Sequence, residues 1–169
     1  MRVYVPLTLP GLAEAYRTGE LGAGPFTAHG VTPALREWYR SEDVEELEYA
    51  ALSGAALASL RLLAADAAAP RRRVVVAVDV PDRAASADPA PGPGVVRVDG
   101  PVRLDRAAAV HVDAPDAEAD VASAADALPA ADGGDDGARA AVDGAEDHEL
   151  LWYATQEIPN LLGPAARSD

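Results

Sequence analysis

His111 and Asp113 stand two residues apart in the run Ala-Val-His-Val-Asp, residues 109–113. Alternate residues of a strand share a face. The pair would therefore offer an imidazole nitrogen and a carboxylate to one point, a donor set suited to a divalent metal or to acid–base work. His148 and Glu149 precede another apolar run and would add two donors if that run lies alongside. Asp79 and Asp82, at the end of a valine-rich stretch, could complete the set. Read this way, His111, Asp113, His148 and Glu149 define a small metal-dependent or acid–base hydrolase, with a cation activating water. A plainer reading competes with it. Asp113 is placed to cap the helix expected after it, and His111 to be a strand histidine bonded to a backbone carbonyl.

Other motifs fall away on spacing. Asp132–Asp143 has the first, sixth and twelfth residues of a calcium loop, but Gly134 and Ala140 occupy its third and ninth positions. The serines form no Gly-x-Ser-x-Gly elbow. Gly22-Ala-Gly-Pro25 lacks the lysine and glycine spacing of a phosphate loop. There is no cysteine, which removes disulfides, thiolate ligands and a cysteine nucleophile. The sequence assigns no cofactor, and no residue set is specific enough to be assigned to a metal.

Charge bounds the partners. The formal net charge is −14, which disfavours nucleic acid and anionic membranes, since both bind basic surfaces. A protein partner of basic character suits such a chain. The basic residues number 14, every one an arginine, and Arg71-Arg72-Arg73 is the one basic cluster. Its plain reading is a charged approach to a strand, aiding the C-terminus of the preceding helix. Arginine in place of lysine, with abundant alanine, glycine and proline, points to a high-GC bacterial genome. With no signal-peptide pattern and no apolar stretch near the length a membrane helix needs, the cytoplasm is the expected location.

The elements that must position these groups follow from periodicity. Arg2–Pro6 reads as a strand. Thr8 then caps a helix whose Leu9, Leu12, Ala13 and Tyr16 share a face, with Gly19 as its stop. Residues 26–31 form a second strand, and Thr32-Pro33 opens a short helix to Tyr39. Residues 42–65 read as a helix that is apolar nearly all round from Tyr49 to Leu63, and so buried on more than one side. Val74–Val80 lacks alternation, as a strand covered on both faces would. Residues 84–94 and 129–146 read as flexible loops, Val95–Val98 as an edge strand, and Ala107–Val112 as a buried one. A helix follows over 114–128, and residues 150–154 make a last strand. Trp38-Tyr39 and Trp152-Tyr153 are the richest aromatic spots of a chain only 5% aromatic. They are expected to pack together as core anchors, a binding surface being the alternative.

The expectation is one domain over 1–169. Its fold class is α/β (α+β), a mixed sheet of four to six strands with the 42–65 helix on one face. A ferredoxin-like arrangement is the first choice of topology and an open doubly wound sheet the second. Several segments resemble an uncharacterised actinobacterial family, a domain of unknown function. They are Met1–Pro6, Val31–Tyr39, Glu45–Ala51, Arg72–Val76, Ala109–Asp113 and Glu146–Tyr153. The resemblance implies an actinobacterial origin and carries no activity with it. On residues and charge alone, the leading expectation is a small acidic interaction or regulatory protein of open oligomeric state. The hydrolase built on His111, Asp113, His148 and Glu149 is the alternative, with Asp79 and Trp152 as further candidate site residues.

Overall fold

The computed structural model describes residues 1–163. In chain order these form β1 (Arg2–Leu7), α1 (Leu9–Thr18), β2 (Glu20–Leu21), β3 (Phe26–Gly30), α2 (Pro33–Tyr39), α3 (Val44–Ala65), β4 (Val74–Asp79), β5 (Ala85–Ala87), β6 (Val95–Val98), β7 (Val102–Arg103), β8 (Ala107–Val112), α4 (Glu118–Asp132), α5 (Asp136–Glu146), β9 (Leu151–Tyr153) and α6 (Ile158–Leu162).

Seven of the described strands make one sheet in the order β5-β6-β3-β1-β4-β8-β9, and β2 pairs with β7 apart from it. Every described pairing is antiparallel. The expected mixed sheet of four to six strands is thus too small, and its parallel component is missing. A doubly wound sheet is built on parallel neighbours, and no described pairing here is parallel; the order of the seven strands does not bear out a ferredoxin-like arrangement either. The crossings through α1 and through α4–α5 return the chain to an antiparallel neighbour, whereas α2 and α3 carry it from β3 past β1 to β4.

Alternation along the central strands sorts their side chains onto two covered faces. Val3, Val5, Val74, Val76, Val78, Val110 and Val112 pack with Leu12 of α1 and Ile158 of α6. Tyr4, Val75, Ala77 and Ala109 pack with Leu35 of α2 and Leu47, Ala51 and Ala55 of α3. This explains the unbroken apolar run of β4, which is buried from Val74 to Val78. Ser59 of α3 fixes the helix to the sheet from within the core. Its hydroxyl donates to the Leu7 carbonyl at 2.7 Å and accepts from the Val74 amide at 3.0 Å. By length and composition α3 could also cross a membrane, contrary to the expectation that no stretch approaches that length; in this fold it is the central core helix.

The region expected to be a loop over 129–146 is helical instead. Pro129 lies inside α4, close to its end, and Gly134, at φ 95°, turns the chain. The side chain of Asp135 caps α5 by accepting from the Ala138 amide at 2.8 Å. Leu60 and Leu63 of α3, Val121, Ala124 and Leu128 of α4, and Val142 and Ala145 of α5 form one apolar cluster. The α4–α5 hairpin therefore packs on α3 rather than on the sheet. Residues 84–94 likewise hold β5, so β6 is not the sheet edge.

Asp113 does not cap the following helix. It is fully buried, and its carboxylate accepts from Arg73 three times: from the backbone amide at 2.7 Å, Nε at 2.8 Å and Nη2 at 2.8 Å. Arg73 is 3% exposed and also donates to the His148 carbonyl at 3.0 Å. Arg71 binds the carbonyls of Leu63, Asp66 and Ala69, closing the C-terminal end of α3, and Arg72 donates to the Asp113 carbonyl at 2.9 Å. Removing one partner of a buried pair strands the other's charge, at about 3–5 kcal/mol. Arg73→Ala should lower unfolding free energy by that amount in urea titrations, and Arg73→Met with Asp113→Leu should recover most of it. A loss below about 1 kcal/mol, the scale of an exposed pair, would show that the pair is not a central tie.

Candidate functional site

The six residues singled out in the sequence are not gathered into one site. Asp113 is enclosed with Arg73. Asp79 is paired with Arg2 across β1 and β4 at 3.1 Å, near the surface. His111 is half-buried on β8, opposite Val75 of β4 and Trp152 of β9. Trp152 is 63% exposed on β9, and Trp38 is 72% exposed at the end of α2. The expectation that the aromatic pairs pack together as core anchors is therefore wrong, because both tryptophans face solvent from separate elements. His148 Nε2 donates to the Asp120 carboxylate at 2.7 Å, tying the segment before β9 to the first turn of α4. Of the six, His148 and Glu149 line one cavity together, of about 550 Å³, with Arg73, Glu146, Tyr49 and Leu52. Among the described residues no three His, Asp or Glu side chains are grouped to hold a metal.

A second cavity, of about 540 Å³, lies on the other flank of α3. Its floor is α3 at Ser53, Gly54, Leu57 and Ala58, with His29 of β3. One wall is α2, through Leu35, Trp38 and Tyr39, and another is the segment from Pro91 to Val95. That segment is held by two bonds: the Thr32 hydroxyl donates to the Pro93 carbonyl, and the Gly30 amide donates to the Gly94 carbonyl at 2.9 Å. Thr32 also caps α2 by accepting from the Leu35 amide at 3.1 Å, so one buried side chain positions both walls. Ser53, Leu57 and Glu146 border both cavities, which makes the exposed ridge of α3 the divide between two adjoining depressions.

The floor depends on glycine. A β-carbon at residue 54 would come within 2.9 Å of His29 Nδ1. Gly54 thus leaves room for the imidazole beside the helix. The ring makes no hydrogen bond to any described residue, and burial pushes it below its ordinary value, so it is neutral at pH 7. Of the charged groups on this cavity, Arg61 is engaged by Asp132 through two bonds, at 2.7 and 3.1 Å. Glu146 has no ion pair among the described residues. Its carboxyl is pushed up by partial burial first and by Asp143 and Asp147 after it, against the pull of Arg73 and Arg139. An apolar depression with a few convergent polar groups of shifted ionisation is the usual form of a ligand site. Sequence reading passed over His29, Gly54 and Glu146, because their meeting depends on where β3 and the end of α5 lie against α3.

The chain belongs to a family of unknown function, DUF6912, whose model matches residues 1–162. No curated protein and no solved structure matches it.

Burial lowers the ionisation of His111 as well, with Arg2 adding to it. The unfolded chain then binds protons at these two rings at higher pH than the folded one does. Their contribution is fully present above about pH 6.5, the ordinary histidine value, and is lost as pH falls through the folded values. Glu146, raised in the fold, works in the opposite sense over the acidic range. Urea midpoints should fall between pH 7 and 5.5, and His29→Gln with His111→Gln should flatten that fall. An equal slope in the double variant would place the acid sensitivity elsewhere.

Proposed function

We propose that this protein is a small acidic interaction protein that receives a basic, partly apolar segment of another protein in the cleft over α3. The observation that carries this reading is the pairing of exposed aromatic side chains with an unpaired carboxylate at one cavity. Trp38 and Tyr39, 72% and 46% exposed, flank it, and Glu146 stands at its rim while the nearby Arg61 is neutralised by Asp132. Tryptophan and tyrosine dominate interface hot spots, and a cation is attracted to both an aromatic face and a carboxylate. The net charge of −14 extends that preference over the whole surface and would steer basic partners toward it.

The alternative, a metal-dependent or acid–base hydrolase on His111, Asp113, His148 and Glu149, has less support. Both carboxylate oxygens of Asp113 are engaged by Arg73, and His148 is held by Asp120. A cytoplasmic setting and an actinobacterial source belong to the proposal too. The absence of lysine and of cysteine from the sequence supports them.

Titration of tryptophan fluorescence with short capped peptides tests the reading. Peptides alternating leucine with arginine or lysine should bind, with affinity falling several-fold as salt rises from about 50 to 300 mM, while leucine–glutamate peptides should not. Equal affinity for the basic and acidic sets, or no binding by the basic set, would overturn it.

A further inference from the structure

We infer that the cleft between α2 and α3 is an anchor subsite for a single arginine side chain of the partner, recognised by Glu146, the aromatic wall and the His29 imidazole. This rests on the reading of the protein as a binder of basic segments and adds which cation the site selects.

Size comes first. A volume of about 540 Å³ lies within the roughly 300–1,000 Å³ typical of small-ligand pockets. It admits a long side chain with its flanking backbone and is too small for a folded element. Sign comes second. Glu146 is the charge on this cavity that no ion pair among the described residues satisfies, and Arg61 is held by Asp132. An anionic ligand would meet the Glu146 carboxylate while Arg61, the cation in the lining, is already engaged by Asp132. The number of donors then separates arginine from other cations. Besides the carboxylate, the cavity offers a neutral imidazole that no described residue bonds, given its room by Gly54. Carboxylate oxygens and a free imidazole nitrogen are acceptors. A quaternary ammonium has no N–H for them, and a lysine ammonium is a compact point charge. A guanidinium carries five donors in a planar fork and also stacks on aromatic faces, which Trp38 and Tyr39 supply at the wall. The apolar stem would lie along Leu35, Leu57 and Ala58.

The test uses capped leucine–alanine peptides with one central position varied, read by tryptophan fluorescence and by calorimetry. The central residue is arginine, its uncharged isostere citrulline, lysine or trimethyl-lysine. The arginine peptide should bind about tenfold more tightly than the citrulline and trimethyl-lysine peptides, and more tightly than lysine. Glu146→Gln should remove most of the advantage of arginine over citrulline. Its melting temperature should not drop, since the fold disfavours ionising this carboxyl; loss of binding in a stable variant excludes simple unfolding. His29→Phe, read by calorimetry, should weaken arginine while sparing trimethyl-lysine. If arginine, lysine and trimethyl-lysine bind alike, or Glu146→Gln leaves the arginine preference intact, the anchor is wrong and the wider reading stands. If no cationic peptide exceeds a glutamate control, both fall.

Discussion

The buried contact between Arg73 and Asp113 is the tie on which the rest of the arrangement depends. It joins the approach to β4 to the residue just beyond β8, and through the His148 carbonyl it adds the segment leading into β9. Three parts of the chain far apart in sequence thus converge on one guanidinium. A buried ion pair seldom adds much stability over a well-packed apolar pair, because desolvation offsets attraction. What it contributes here is position. With Arg73 fixed, the backbone at residue 148 is fixed, and with it the C-terminal end of α5, where Glu146 overhangs α3. The neighbours in the same basic run act in the same direction, Arg71 on the open carbonyls of α3 and Arg72 on the backbone of residue 113. Three consecutive arginines join a helix end, a strand end and a loop.

The cleft is a consequence of how α3 is covered. The sheet takes Leu47, Ala51 and Ala55, and the α4–α5 hairpin takes Leu60 and Leu63. The remaining stripe, through Ser53 and Leu57, has neighbours on both flanks but none on top. Small residues in that stripe let β3 and its histidine approach closely, and Thr32 holds the opposite wall in place with a single hydroxyl. The depression is therefore built from rigid elements, the condition under which an exposed aromatic wall can present a fixed shape.

The strands and helices whose signals are local were legible in the sequence. Thr8 and Gly19 bound α1 as their capping chemistry dictates, accepting from Gly11 and donating to Ala15. The Thr32-Pro33 pair opens α2 in the same way. The valine-rich run of β4, without polar alternation from Val74 to Val78, correctly implied cover on both faces. The α5 helix was missed because its apolar side is Ala138, Val142 and Ala145. That is a helical spacing made of small residues, hidden behind Pro129 and a Gly-Gly pair that read as loop chemistry. Sheet order and direction were not legible, since antiparallel pairing across long helical crossings leaves no local mark. The same holds for the site. His111 and Asp113 drew notice because their spacing of two would put them on one face of a strand, yet burial gave Asp113 to Arg73. His29 and Glu146 border one cavity from more than a hundred residues apart, and no spacing rule could have joined them.

The distribution of charge gives the arrangement its sense. The chain's arginines are largely committed within the fold: Arg2 to Asp79, Arg17 to Glu14, Arg61 to Asp132, Arg73 to Asp113, Arg103 to Asp105, and Arg71 to backbone carbonyls. Because acidic residues outnumber basic ones by 28 to 14, pairing of this kind consumes cations and leaves carboxylates facing solvent. The surface field that results attracts cations over a distance of about a Debye length. A cleft placed in that field with one unmatched carboxylate at its mouth and aromatic rings on its wall is selective by sign before any contact forms. Selectivity among cations must then come from short-range donors and acceptors, and the half-buried neutral imidazole offers an acceptor that no described residue bonds.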